Sequence, residues 1–284
     1  MRLLLLIAAF GAVTTAAASA TEPPNARSAY VERRGLIEAD ARCRLFAADV
    51  RTALQAGVSQ ARGALLRAGW SNAQVRELEQ AVIAAARARA CTDQRTAASA
   101  ASARAAFASW ANATSMAFPG WDRTWLASRA PGANGWPLRQ NIDAPIAATF
   151  GVRTRDGVQE LALVIPSARG QSAPASVRLH MRNDARAQAQ EVSLPQRMAY
   201  GIAAGAPAPN VAVAFPSVRA VERIPRGGLQ TAFIFPQSAF RALLELDPRE
   251  SVELRIVNGR TGQTLFVEVG DIAAARAFLT MPGS

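Results

Sequence analysis

Apolar residues recur at helical spacing from Ala26 to about Thr114 and at alternate positions from about Thr149 onward, so the chain changes period once. The first stretch is rich in alanine and free of proline. Val50, Leu54, Val58, Ala61 and Leu65 fall on one helical stripe that ends near Gly69. Ser71-Asn72-Ala73-Gln74 reads as a capping box, in which the serine hydroxyl and the glutamine amide satisfy free N–H groups at a helix start. Val75, Leu78, Val82 and Ala86 continue on a new stripe, so Gly69-Trp70 is the expected turn of an antiparallel helical hairpin. A third helical stretch runs from Asp93 to about Ala111 and presents Phe107 and Trp110.

The texture then changes. Residues 116–137 read as an aromatic connector rich in proline and glycine, and Pro131 to Pro137 as the domain boundary. Three of the five tryptophans, Trp121, Trp125 and Trp136, fall in this connector. They read two ways: as exposed platforms that stack on sugar rings or arginines, or as anchors that pin an irregular segment to the helices.

Beyond the boundary, Thr149–Arg153 and Gln159–Ile165 flank the turn residues Asp156-Gly157 and predict a hairpin. Further strands are predicted at Ser176–Met181, Gln190–Leu194, Asn210–Phe215, Ser217–Ile224 and Leu229–Phe235. Gln237–Leu246 reads as a short helix, Ser251–Val257 and Thr264–Val269 as a hairpin around Asn258-Gly259-Arg260, and Asp271–Leu279 as a closing helix with Asp271 as its cap. The expected fold is α+β: a signal peptide over 1–20, a helical domain over 21–115, the connector over 116–137, and an antiparallel β domain with two short helices over 138–284.

The leader is read from Met1-Arg2, the uncharged run Leu3–Val13 and the small residues Ala18-Ser19-Ala20, the three regions of a secretory signal cleaved after Ala20. Its apolar run is roughly half of the about 20 residues that a spanning helix needs, so no transmembrane anchor is expected after cleavage. Removing the leader leaves about 260 residues, enough for one large or two ordinary domains. The expected location is periplasmic or secreted.

That compartment gives the two cysteines a role. Cys43 and Cys91 lie on opposite sides of the Gly69-Trp70 turn, in arms whose lengths differ by roughly 9 Å at about 1.5 Å per residue. A break near Leu45-Phe46 absorbs the difference and brings the thiols together, and disulfides persist outside the cytoplasm. Closing such a loop stabilises the fold by about 4 kcal/mol in the chain-entropy model. Neither cysteine sits in a C-x-x-C pair, which speaks against a redox or metal role.

The chain contains no lysine, so its 32 basic residues are all arginine, against 21 acids. The excess is spread out, with 15 arginines against 9 acids from Thr21 to Ala130 and 16 against 12 from Pro131 to Ser284. A spread excess argues against a nucleic-acid groove, which shows a clustered stripe. It suits weak attraction to anionic lipids or glycans, or is a solvated surface set by a GC-rich genome. Arg33, Arg34, Arg42 and Arg44 form the best candidate anion-binding surface, with a salt-bridged face including Glu32, Glu38 and Asp40 as the alternative.

Catalytic patterns are scarce. His180 is the single histidine, and Ser172 in Gly170-Gln171-Ser172-Ala173-Pro174 lacks the second glycine of a nucleophile elbow. Without lysine there is no Ser-Lys dyad, Schiff base or P-loop. One histidine and two distant cysteines do not make a zinc set, and Gly201–Gly205 and Gly227-Gly228 do not match a dinucleotide fingerprint. No metal and no cofactor is expected. A pair of carboxylates needs only to meet in space. The candidates are Glu222, Glu245, Asp247, Glu250, Glu253 and Glu268, each more simply a solvated charge.

Thr231-Ala232-Phe233-Ile234-Phe235-Pro236 with Ala239-Phe240, Ser251–Val257, and Phe266–Asp271 followed by Ala274–Leu279 resemble the closing pattern of the invasion-associated locus B family. That resemblance covers about the last fifth of the chain and implies an exported, β-rich bacterial protein without established catalytic residues. The functional expectation is a non-catalytic, envelope-associated binding protein whose partner is an anionic lipid or glycan or another envelope protein. The alternatives are a glycan hydrolase using paired carboxylates in the β domain, with the tryptophans as platforms, and an assembly factor that docks another protein.

Overall fold

Four helices build the N-terminal part: α1 (Ala26–Cys43), α2 (Ala48–Arg67), α3 (Asn72–Arg87) and α4 (Gln94–Asn112). The computed structural model describes residues 26–132, 135–166, 173–183, 212–223, 228–258 and 261–281. The leader, Ser172, the strand expected over 190–194, Gly201–Gly205 and Gly227 lie outside the described residues.

The capping box before α3 forms as the sequence predicts. The Gln74 N–H donates to Ser71 Oγ at 3.1 Å, and the Ser71 N–H donates to Gln74 Oε1 at 2.8 Å. Asp93 caps α4 by accepting from the N–H and the hydroxyl of Thr96, each at 2.8 Å. At α2 the N-cap residue is Ala47, which offers no side-chain acceptor. Asp40, one helix earlier, fixes that turn by accepting from the Phe46 N–H at 2.9 Å and from Arg51 Nε at 2.5 Å.

One helical expectation changes. The break before α2 is a full reversal, with Arg44 at φ 52°, rather than a kink within one arm of a hairpin. α1 therefore turns back and packs against both α2 and α3, which touch each other little. Arg33 Nη1 donates to Gly57 O on α2 at 2.9 Å, and Arg34 Nε to Glu79 Oε1 on α3 at 2.8 Å. The disulfide Cys43–Cys91 then joins the end of α1 to the turn after α3, with Cα atoms 5.5 Å apart.

The remaining described elements are β1 (Ser115–Pro119), β2 (Thr124–Ser128), β3 (Leu138–Ile142), β4 (Ala148–Arg155), β5 (Val158–Pro166), β6 (Ser176–Arg182), β7 (Ala212–Pro216), β8 (Val218–Arg223), β9 (Leu229–Phe235), α5 (Gln237–Glu245), β10 (Ser251–Asn258), β11 (Thr261–Glu268) and α6 (Ile272–Leu279). All pairings are antiparallel, in a seven-stranded sheet ordered β1-β2-β3-β4-β5-β9-β8 and a four-stranded sheet ordered β11-β10-β6-β7. The hairpin of β4 and β5 turns at Asp156 (φ 49°) and Gly157 (φ 81°), the two positive values that a type I′ turn needs. β7 and β8 are consecutive yet lie in different sheets, and the chain crosses at Ser217, whose hydroxyl donates to Val177 O at 2.7 Å.

The expected connector is ordered sheet. In β1 and β2, Phe118, Trp125 and Ala127 point inward and are buried, while Ser115, Thr124 and Leu126 face out, so these strands alternate like the later ones. Each spans only five residues and they are joined through the Pro119-Gly120 turn, so the period is brief in the sequence.

The inner faces of the two sheets meet through Phe150, Leu163 and Phe233 on one side and Leu179, Leu254 and Val267 on the other. The same buried cluster runs on into Leu36, Leu54 and Phe107 of the helical part. The joint is α6, which packs on β1 and β2 and on α2. Phe278 lies 5.8 Å from Phe118 between ring centroids. Asp271 stands at the N-cap of α6 but makes no side-chain cap bond. Its carboxylate is held instead by Arg67 of α2, at 2.6 and 2.9 Å, and burial pushes it above its ordinary pKa against the pull of that guanidinium. Gly63 makes room for this pair, since a Cβ there would lie 2.0 Å from Asp271 Oδ1.

Candidate functional site

The four arginines singled out in the sequence do not form one open surface. Arg33 is drawn under the helices, where it bonds Gly57 O and lies 5.2 Å from the centroid of the Phe107 ring, and burial lowers its pKa. Arg34 is held by Glu79 at 2.8 Å and Glu38 at 3.6 Å. Arg42 donates to the carbonyls of Ala86, Arg87 and Arg89 at 3.3, 2.6 and 3.0 Å, closing the C-terminus of α3. Arg44 is exposed like Arg42, at the reversal beside Cys43. Three of the four are thus tertiary fasteners for α1.

The three tryptophans also separate. Trp125 is fully buried, with its indole N–H shared between Glu268 O and Val269 O at 2.9 Å each. Trp121 is half-buried in the β1–β2 turn, which wraps around the Glu268 carboxylate. The N–H groups of Trp121, Asp122 and Arg123 donate to Glu268 Oε2 at 2.8, 3.2 and 3.1 Å. A Cβ at Gly120 would come within 2.2 Å of that oxygen. Glu268, read from the sequence as a solvated charge, is therefore a buried structural anchor.

Trp136 has a different setting. It forms one wall of a groove of about 590 Å3 on the outer face of β1, β2 and β3, with Pro131 and Gly135 beside it. The floor is set by strand register: Ser115 lies opposite Ser128, Ala117 opposite Leu126, and Leu126 opposite Arg139. Leu126 is 38% exposed, and Arg139 is exposed with no ion-pair partner among the described residues. On its other flank Arg139 faces Gly151, whose φ is 151° and where a Cβ would meet Leu138 O at 2.1 Å. That position admits glycine, which leaves the guanidinium unscreened.

An aromatic ring, an apolar floor, two hydroxyls and one uncompensated cation suit a ligand with a flat apolar ring face and an anionic substituent. Leu126, Arg139, Ser115 and Ser128 were missed in the sequence. The signal was there in the alternation around Trp125 and Leu138, which puts Leu126 and Arg139 on the opposite face from the core.

No acid lines this groove. A second groove, between α1, α3 and α4, has Glu32 as its single acid. Most of the other candidate carboxylates are engaged by arginine: Glu222 by Arg153 at 2.7 Å, Asp247 by Arg249 at 2.9 Å, Glu250 by Arg182 at 2.7 Å and Glu253 by Arg255 at 2.8 Å. Glu245 is exposed at the end of α5. Among the described residues no group of three or more His, Cys, Asp or Glu is placed to hold a metal ion, and no helix is long and apolar enough to cross a membrane. The chain matches no protein-family model, no curated protein and no solved structure.

Proposed function

We propose that the chain is an exported binding protein of the bacterial envelope, and that its groove takes an acidic sugar ring of a glycan. The observation that carries this reading is the convergence of Trp136 and Arg139 on one groove whose lining holds no carboxylate. The ring supplies a face for stacking, Arg139 a charge-assisted bond to a uronate, and Ser115 and Ser128 hydroxyl partners. The leader pattern over 1–20, the closed disulfide and the resemblance to the invasion-associated locus B family support the compartment. Hydrolysis is the weaker reading, because a glycosidase needs two acids about 5 to 9.5 Å apart across the bound sugar.

Calorimetric titration with an oligogalacturonate and with a neutral oligosaccharide of the same length tests it. The acidic sugar should bind more tightly. Trp136→Ala should weaken both by roughly tenfold, about 1.4 kcal/mol, through loss of stacking. Arg139→Gln should remove the preference for the acidic sugar and leave the neutral one unchanged. Binding of neither sugar, or variants that behave as the parent chain, would overturn the proposal.

A further inference from the structure

The outer face of the four-stranded sheet carries a second cationic arrangement, of a different kind. Val177, Leu179 and Met181 of β6 and Val252, Leu254 and Ile256 of β10 are buried inward, so Arg178, His180, Glu253 and Arg255 project from the opposite face. The register places Arg178 directly opposite Arg255, and His180 opposite Glu253. Directly opposed residues have Cβ atoms about 5 Å apart, and like charges in that relation destabilise the pair.

Two other strand cations are compensated. Arg153 is held by Glu160 and Glu222, and Arg182 by Glu250. In the Arg178–Arg255 row, Glu253 answers Arg255 at 2.8 Å, while Arg178 is exposed and has no ion-pair partner among the described residues. The flanking strands bring no acid: Pro216 of β7 lies beyond Arg178, Thr264 of β11 beyond Arg255, Ala214 beyond His180 and Phe266 beyond Glu253.

We propose that Arg178 and Arg255, with His180 beside them, form a binding site for a dianionic phosphate ester on the outer face of this sheet. A dianion set between the two guanidiniums turns their repulsion into two charge-assisted contacts, and His180 adds a third donor when protonated. The groups facing His180 are Arg178 and Arg182 on its own strand, the latter paired with Glu250, and Arg255 and Glu253 on β10; β7 presents Ala214. Burial, then Arg255, hold the free imidazole below its ordinary pKa, with Arg178 adding to this and Glu253 opposing it. A bound dianion reverses that balance.

Because the chain has a single histidine, one imidazole proton resonance reports the site without assignment. Titrating it by NMR with and without glycerol phosphate, at matched ionic strength set by chloride, should show an upward shift of roughly half a pH unit or more on binding. Arg178→Gln should raise the pKa of the free protein and abolish the phosphate-induced shift. Trp136→Ala should leave the shift intact, which separates this site from the groove. If the soluble ester gives no shift, vesicles of phosphatidic acid diluted in phosphatidylcholine are the second arm: flotation that Arg178→Gln abolishes assigns the phosphate to a lipid headgroup. No shift and no flotation, or either effect persisting in Arg178→Gln, overturns the proposal.

Discussion

At Asp247 one carboxylate joins the helical and β parts and gives the fold a measurable sensitivity to acid. Burial alone raises its pKa, but Arg249 clamps it through two guanidinium bonds and a backbone N–H, all at 2.9 Å, and Asn72 of α3 donates at the same distance. The net result is a fall from 3.8 to about 2. A depressed folded pKa gives stability that is fully present above the unfolded value and lost as pH falls toward the folded one, here about 2 kcal/mol between roughly pH 4 and pH 2. Urea midpoints measured at pH 5 and pH 2 should therefore fall less for Asp247→Asn than for the parent chain, and equal slopes would refute this role. Nothing in Leu246-Asp247-Pro248-Arg249 announced it. The local pair with Arg249 is legible in the sequence, whereas Asn72 lies 175 positions away and has no local signature.

Elements were legible where the signal is local. The α3 capping box, the Asp156-Gly157 turn and the closing helix each rest on residues within a few positions of one another, and all appear. The packing of α1 does not follow from such signals, because Arg34–Glu79 and Arg42 on the α3 carbonyls are long-range bonds. The disulfide was reached from spacing and compartment, even though the reversal before α2 differs from the kink that the spacing suggested. Replacing both cysteines by serine should lower stability by about 4 kcal/mol, as for an unfolded chain freed of a 48-residue loop. Urea unfolding with and without reductant checks this: the parent chain should lose a comparable amount on reduction, and the double variant nothing further.

At the scale of the whole molecule, the described residues on both sides of the boundary expected at Pro131–Pro137 share one core. Trp136, from that segment, stands in the groove wall, and one buried cluster links Leu54 and Phe107 to Phe150 and Leu254. Composition marks a change of period but says nothing about which helix a closing helix will meet, so the α2–α6 contact could not be read from it. Arg67 and Asp271 tie that contact, with the Asp271 side chain wholly buried. Removing one partner of a buried pair leaves the other charge uncompensated, and Arg67→Ala should cost about 3–5 kcal/mol. Because the core is shared, far-ultraviolet dichroism, which follows the helices, and the fluorescence of a Trp70→Phe/Trp110→Phe variant, whose remaining tryptophans lie on or beside the sheet, should shift together in a single transition. Two separated transitions in that variant would show that the parts melt independently.

The clasp of the β1–β2 turn on Glu268 sets the order in which the groove takes shape. The groove is floored by strands from the middle of the chain, but their fixings come from its end: the Glu268 carboxylate, the Asp271 N–H on Pro119 O at 3.0 Å, and the Phe278 carbonyl that receives Arg129 at 3.0 Å. A growing chain can pair β1 with β2 long before those residues arrive, yet cannot lock them. A chain cut short before Glu268 would present the groove's residues without the bonds that hold its shape.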